Sequence, residues 1–189
     1  MYMFLTKSAV LLHLNYAKKT SGGKLKNPDK AELPFLAGIK SNGEPVFESL
    51  NVEFLADAPQ HFRLMKSPLL TRNLAAGDVV RQINPDKAEY ELINRSGNIS
   101  IRLFGQEELI NLEQALTPKF EKIGGCLDIQ TPRGLVYTVH ISIGFETIES
   151  LLNKTCKDYP EVVWYYGNIY DPEDGTTPLE WWLEFDSQD

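Results

Sequence analysis

Residues 99–170 read ISIRLFGQEELINLEQALTPKFEKIGGCLDIQTPRGLVYTVHISIGFETIESLLNKTCKDYPEVVWYYGNIY, and the changes of period along this stretch decide the fold. ISIRLF alternates as a half-buried strand does. Leu109, Leu112, Leu116 and Phe120 then recur near helical spacing. Acids stand in the first turn of that helix and Gly124-Gly125 marks its stop. Pro118 is placed to kink or divide it. CLDIQ and LVYTVHISI return to a strand pattern across a Thr131-Pro132-Arg133-Gly134 turn. Ile148, Leu151, Leu152 and Cys156 give a second helix one apolar face, and VVWYYGNIY closes as a strand. The order β-α-β-β-α-β predicts a ferredoxin-like arrangement, an antiparallel sheet with two helices packed on one face.

Upstream the chain is strand-rich. FLTKSAVLLHLNYA reads as a strand and KKTSGGKLKNPDKAELP as a solvated loop, whose Gly pair is not followed by the GK[ST] of a phosphate-binding loop. LAGIK and EPVFESL flank Asn42-Gly43, a strong hairpin signal. NVEFLA, HFRLMKSPLL, VVRQI and AEYELINR follow as short strands parted by Pro- and Asp-containing turns. That spacing predicts a small barrel or a highly curved sheet. The reading is therefore α+β: a strand-rich, barrel-like half over 1–95, a ferredoxin-like half over 96–170 and an acidic, aromatic segment over 171–189.

Three short motifs carry a resemblance. Ser67-Pro68-Leu69-Leu70, Gly77-Asp78-Val79-Val80 and the run Ser96-Gly97-Asn98-Ile99-Ser100-Ile101-Arg102 stand in this order before the αββαβ run. Together they resemble the bacterial family called domain of unknown function 4265, over about residues 46–170. The resemblance implies the fold and no particular chemistry, and the N-terminal arm and the Trp-Trp tail lie outside it.

Hydrophobic residues make up 42% of the 189 and charged residues 24%, enough for a well-filled core without disulfide or metal staples. The net charge of -7 is unevenly placed. Nine of the 26 acids and none of the 19 bases lie from Asp158 onward, so the rest of the chain carries 17 acids against 19 bases. A surface so acidic repels phosphates, which argues against direct nucleic-acid binding and for a cationic protein partner. No apolar run approaches the length of a membrane span. The N-terminus lacks the charge pattern and small-residue cleavage site of a signal peptide. The expected location is the cytoplasm, with Cys126 and Cys156 as reduced thiols.

No residue spacing announces catalysis. The three histidines, His13, His61 and His140, form no metal motif. The DPEDG run at 171–175 fails the calcium-loop template and reads as an exposed turn. Cys126 and His140 lie on adjacent strands and form a nucleophile–base pair only if the hairpin register puts them face to face. Arg102 reads as an ordinary exposed strand arginine. The expectation is a protein with no catalytic residues, metal or cofactor. Trp164, Tyr166, Tyr170, Asp171, Glu173, Asp174, Trp181 and Trp182 would hold a cationic partner, since aromatic anchors with flanking acids select basic surfaces. In a strand, Trp181 and Trp182 point to opposite sides, one to a core and one to solvent. The concrete version is a bacterial immunity protein that neutralises a toxin. The alternative is an enzyme or small-molecule sensor with a pocket between the two halves. A third reading is a homodimer whose tail swaps or pairs between subunits. Against all three stands the plain reading that the aromatics only close the core.

Overall fold

The structure, a computed structural model, describes residues 30–186. The strand expected over 4–17 and most of the Lys-rich loop lie outside the described residues. Five strands form an antiparallel sheet in chain order: β1 (Lys30–Ile39), β2 (Pro45–Phe54), β3 (His61–Leu64), β4 (Val79–Asn84) and β5 (Glu89–Asn94). The hairpin at Asn42-Gly43 forms as read, with Gly43 at φ 84° and the Lys40 N–H donating to Glu44 O at 2.8 Å. Two boundaries differ from expectation. Residues 30–34, read as loop, belong to β1. Pro34 is tolerated there because β1 is an edge strand and its missing N–H is on the unpaired side. EPVFESL and NVEFLA run together as β2.

Leu33, Phe35, Leu50, Val52, Phe62, Leu64 and Val80 share the inner face of this sheet with Leu74. The sheet curls until its ends touch: Leu36 N–H donates to Ala88 O at 3.2 Å, and Phe35 stacks on Tyr90 at 3.8 Å between centroids. It does not close, so the small barrel expected from strand spacing is an open, curled meander. Pro34 offers no N–H on the outer edge of β1, and a register shift between Leu36 and Gly38 breaks the line of donors that closure needs.

The second sheet is antiparallel in the order β7-β8-β6-β9, from β6 (Asn98–Phe104), β7 (Cys126–Thr131), β8 (Gly134–His140) and β9 (Val163–Tyr166). Ile99, Ile101 and Leu103 of β6 and Leu135, Tyr137 and Val139 of β8 alternate onto one face. There they meet Leu112, Leu116 and Phe120 of α1 (Ile110–Lys122) and Ile148 and Leu152 of α2 (Phe145–Cys156). Pro118 sits inside α1 without dividing it. The strand expected over 135–143 stops at His140, where Ile141–Ile143 forms a 3-10 turn before Gly144, at φ 80°, opens α2.

β9 is shorter than its sequence pattern because the chain bends after Tyr166. Beyond the bend, the Asn168 side chain stands in for a strand: Ser100 N–H donates to its Oδ1 and its Nδ2 donates to Asn98 O, both at 2.9 Å. The tail then doubles back through a bridge between Tyr170 and Pro178. Trp181 and Trp182 lie in a turn, not a strand, between Glu180 at φ 55° and the short helix α3 (Leu183–Asp186). No helix among the described residues is long and apolar enough to cross a membrane.

Candidate functional site

The face of the second sheet away from its helices packs on the segment that links β3 to β4, and the three motif segments meet at this seam. Ser67 N–H donates to Asp128 Oδ2 at 2.7 Å. The Ser67 and Thr138 hydroxyls lie 2.5 Å apart, and Thr138 donates to the same carboxylate at 2.5 Å. Asp78, fully buried, accepts from Ala75 N–H, Ser96 N–H and the Ser96 hydroxyl, each at 2.9 Å. Burial pushes its pKa above the ordinary value, and those bonds and Arg95 at 3.8 Å hold the rise in check.

Arg102 corrects the sequence reading: it is 1% exposed, not a surface arginine. Its guanidinium donates to Leu70 O at 3.2 Å and to Thr71 O. The N–H groups of the same loop point the other way, to Glu48 on β2. Leu69, Leu70 and Thr71 N–H reach its carboxylate at 2.6, 3.0 and 2.7 Å, and the Thr71 hydroxyl at 2.8 Å. A carboxylate of one sheet and a guanidinium of the other thus face each other through peptide dipoles. This lets a buried charge be solvated without a direct ion pair. Ser100 Oγ and Arg102 Nε remain without partners, and Gly167 packs against both, where a Cβ would come within 2.7 Å of each. The seam joins the sheets, and nearly all of its polar groups are spent on one another.

Cys126 and His140 share this face of the sheet, since Cys126 lies opposite Thr138, two residues from His140. They do not form a pair. His140 Nδ1 bonds the Ser142 hydroxyl at 2.9 Å, while Cys126 Sγ lies 3.7 Å from Asp128 Oδ1. Burial and the Asp128 charge raise the Cys126 pKa, opposite to what a thiolate nucleophile needs. Between the sheets lies an open cleft of about 310 Å³, lined by Ser49, Asn51, Lys66, Ser67, Asp128 and Gln130; Lys66 Nζ is already bonded to Asp128 O at 2.8 Å. Among the described residues no cluster of His, Cys, Asp and Glu is arranged to hold a metal.

The residues singled out in the tail fall into three groups. Trp181 is 8% exposed and sealed: its Nε1 donates to Asn168 O at 2.7 Å and Arg95 lies over its ring at 5.0 Å. Trp164, Tyr166 and Trp182 join one row of rings on the helix side of the sheet. Trp164 meets Tyr166 at 5.5 Å, Tyr166 meets Phe145 at 5.5 Å, and Phe145 meets Trp182 at 5.3 Å. Trp164, Phe145 and Trp182 are half-buried, so this row closes the core and keeps an outer surface. Tyr170, Asp171, Glu173 and Asp174 lie apart from the row, at the base and tip of the hairpin. Asp174 is spent on its own turn, bonded to the N–H groups of Thr176 and Thr177 and to both hydroxyls. Thr177 first, then Thr176, hold its pKa down to about 2.

Sequence reasoning missed Phe145, Glu146 and Glu149. The α2 periodicity marks the buried face but not the neighbours of its exposed residues. Glu149 accepts the Tyr166 hydroxyl at 3.2 Å, and burial followed by this carboxylate raises the tyrosine pKa. Among the described residues, no base lies within 4.0 Å of Glu146, Glu149 or any acid from Asp158 to Glu184.

The motif segments and sheet order invite comparison with known proteins. The family model for Domain of unknown function (DUF4265) matches residues 48–159. The chain belongs to the DUF4265 family. The match spans most of the seam, α1, α2 with Phe145 and the start of the tail's acidic run, and stops before β9 and the tryptophans. A solved structure titled "Novel crystal structure of a hypothetical protein from Neisseria gonorrhoeae" is similar at a TM-score of 0.55 and 19% identity, covering 77% of this chain and 96% of that one. At that identity the likeness is one of fold. No curated protein matches this DUF4265 chain.

Proposed function

We propose that this protein is a non-catalytic binding protein that holds a cationic protein partner on the aromatic row and the acids around it. The observation that carries the reading is that, among the described residues, no base forms an ion pair with those acids. An acidic surface with no bases in ion-pair range keeps its field available to a partner, which raises the encounter rate and selects basic surfaces. Trp164, Phe145 and Trp182 supply the half-buried rings that anchor such a contact, and a Lys or Arg over them adds a cation–π attraction. Glu146 and Glu149 flank them from α2. Asp171 and Glu173 extend the negative field from the hairpin tip, while Asp174 shapes that tip and Trp181 supports the row from beneath. The concrete form of the reading is an immunity protein, since many toxins that act on nucleic acids carry basic surfaces that an acidic plug can cover.

The fold reading behind this is ferredoxin-like for residues 96–170. It is supported by the order β7-β8-β6-β9 with both helices on one face. The raised thiol pKa of Cys126 and the separate bonding of His140 weigh against the enzyme alternative.

The test is affinity capture from the native host at low and moderate salt, comparing the natural protein with a Glu146→Gln, Glu149→Gln variant. The natural protein is expected to retain a basic protein that the variant releases. Identical captured sets, or a set with no basic member, would contradict the proposal.

A further inference from the structure

The aromatic row ends on a sheet edge, and that edge has the features of a strand-docking site. Among the described residues, β9 is the last strand of its sheet and pairs with β6 alone. The hydrogen-bond phase along it is fixed by Gly167 N–H, which donates to Ser100 O at 2.7 Å. In an antiparallel ladder, alternate residues bond inward. Val163 and Tyr165 therefore bond to β6, while the N–H and C=O of Trp164 and Tyr166 point to the outer edge. On the face away from the helices, Val163 is 65% and Tyr165 45% exposed, and Leu70 nearby is 43% exposed. Natural edges are usually blunted by Pro, Lys or a bulge. β1 has Pro34 and a bulge; β9 has none of these.

We infer that β9 accepts an extended segment of the cationic partner as a fifth strand of the second sheet, with apolar residues beside Val163 and Tyr165 and basic residues toward the acids. The inference rests on the proposed binding of a cationic partner and adds how that partner is gripped. Charge selects the occupant. Asp158 and Glu161 stand just before β9, and Asp171 and Glu173 follow it, all without ion pairs among the described residues. A second copy of this chain would bring the same acids to the same edge, whereas a basic segment neutralises them. Main-chain bonds would supply affinity and the alternating side chains specificity.

The probe is a short synthetic peptide of alternating Lys and Val, compared with its Glu-for-Lys counterpart and with a copy N-methylated at alternate residues. The readout is amide hydrogen exchange on the full chain. The Lys-Val peptide is expected to slow exchange at Trp164 and Tyr166 by about tenfold or more, and the other two are expected to leave it unchanged. Val163→Lys, at an exposed position, is expected to abolish that protection without moving the unfolding midpoint. If peptide binds with exchange at these two amides unchanged, the strand-docking inference fails and the acidic binding face stands. If the N-methylated copy protects equally, or if no peptide binds at ~1 mM, the inference is overturned. Protection that grows with protein concentration and needs no peptide would assign the edge to a second copy and also overturn it. Failure of the proposed function reads differently, as loss of the charge dependence of capture.

Discussion

Replacing Glu48 by Gln keeps the shape of the side chain and removes one charge, so it isolates the relay between the two sheets. The carboxylate accepts four hydrogen bonds, one at Oε1 from Leu69 and three at Oε2 from Leu70, Thr71 N–H and the Thr71 hydroxyl. The best amide orientation leaves the oxygen at the three-donor position and turns its NH2 against Leu69 N–H. One charged bond is then lost outright, at about 1.5–3 kcal/mol. The other three become neutral bonds of roughly half the strength, and the loop carbonyls that hold Arg102 lose the negative charge behind them. Allowing for non-additivity, Glu48→Gln should destabilise the fold by about 3 kcal/mol. Urea unfolding, followed by circular dichroism and Trp fluorescence, measures it if the two probes coincide. Glu53→Gln on the same strand is the control. Its salt bridge with Arg63 is exposed, with side chains 39% and 49% accessible, and should cost under ~1 kcal/mol. Equal losses in the two variants would refute the relay, because the chemistry removed is the same and only the surroundings differ.

Three further outcomes follow from the geometry. Gly167→Ala should destabilise by roughly 1–3 kcal/mol by overpacking, because the new Cβ meets Ser100 Oγ and an Arg102 guanidinium pinned by two carbonyls; a fully stable Gly167→Ala protein in urea would show the seam to be loose. Asp174 should titrate at about 2 by carboxyl NMR, and Thr177→Val should move it toward the ordinary 3.8. Its pKa is depressed, so its contribution is present above the ordinary value and is lost as pH falls toward about 2; an unchanged midpoint in the variant would remove the Thr177 bond from the explanation. Asp78 has the opposite sign. Its folded pKa lies above the ordinary 3.8, so the native state binds the proton more tightly, and stability falls as pH rises through that window. The natural protein should show this decline and Asp78→Asn should not; parallel pH profiles would count against the assignment.

Much of the second half was legible from period alone. Leu112, Leu116 and Phe120 at helical spacing, and Ile99, Ile101 and Leu103 at spacing two, are buried where the pattern puts them. What period cannot supply is long-range pairing. Arg102 occupies an alternating position that reads as polar and solvent-facing, yet the β3–β4 segment covers that face and buries it. The open meander was read as barrel-like because closure depends on two local details, Pro34 and a bulge, which strand spacing does not register. The Trp181-Trp182 turn was hidden for a similar reason: LEWWLEF suits a strand, but the positive φ of Glu180 and the Asn168 carbonyl decide otherwise. Phe145 and Glu149 joined the candidate surface only once β9 was laid beside α2. The uneven charge, by contrast, is legible without any coordinates, because nine acids and no bases from Asp158 onward are a matter of composition alone.

The measurement closest to the central claim is an NMR titration of the three indole N–H resonances with a captured basic partner. Trp164 and Trp182 present half-buried rings beside acids that form no ion pair among the described residues, whereas Trp181 is bonded to Asn168 O within the core. The account predicts that the Trp164 and Trp182 signals shift on binding, that raising salt reverses the shift, and that Trp181 stays in place. A partner that binds while leaving both half-buried indoles unmoved would contradict it.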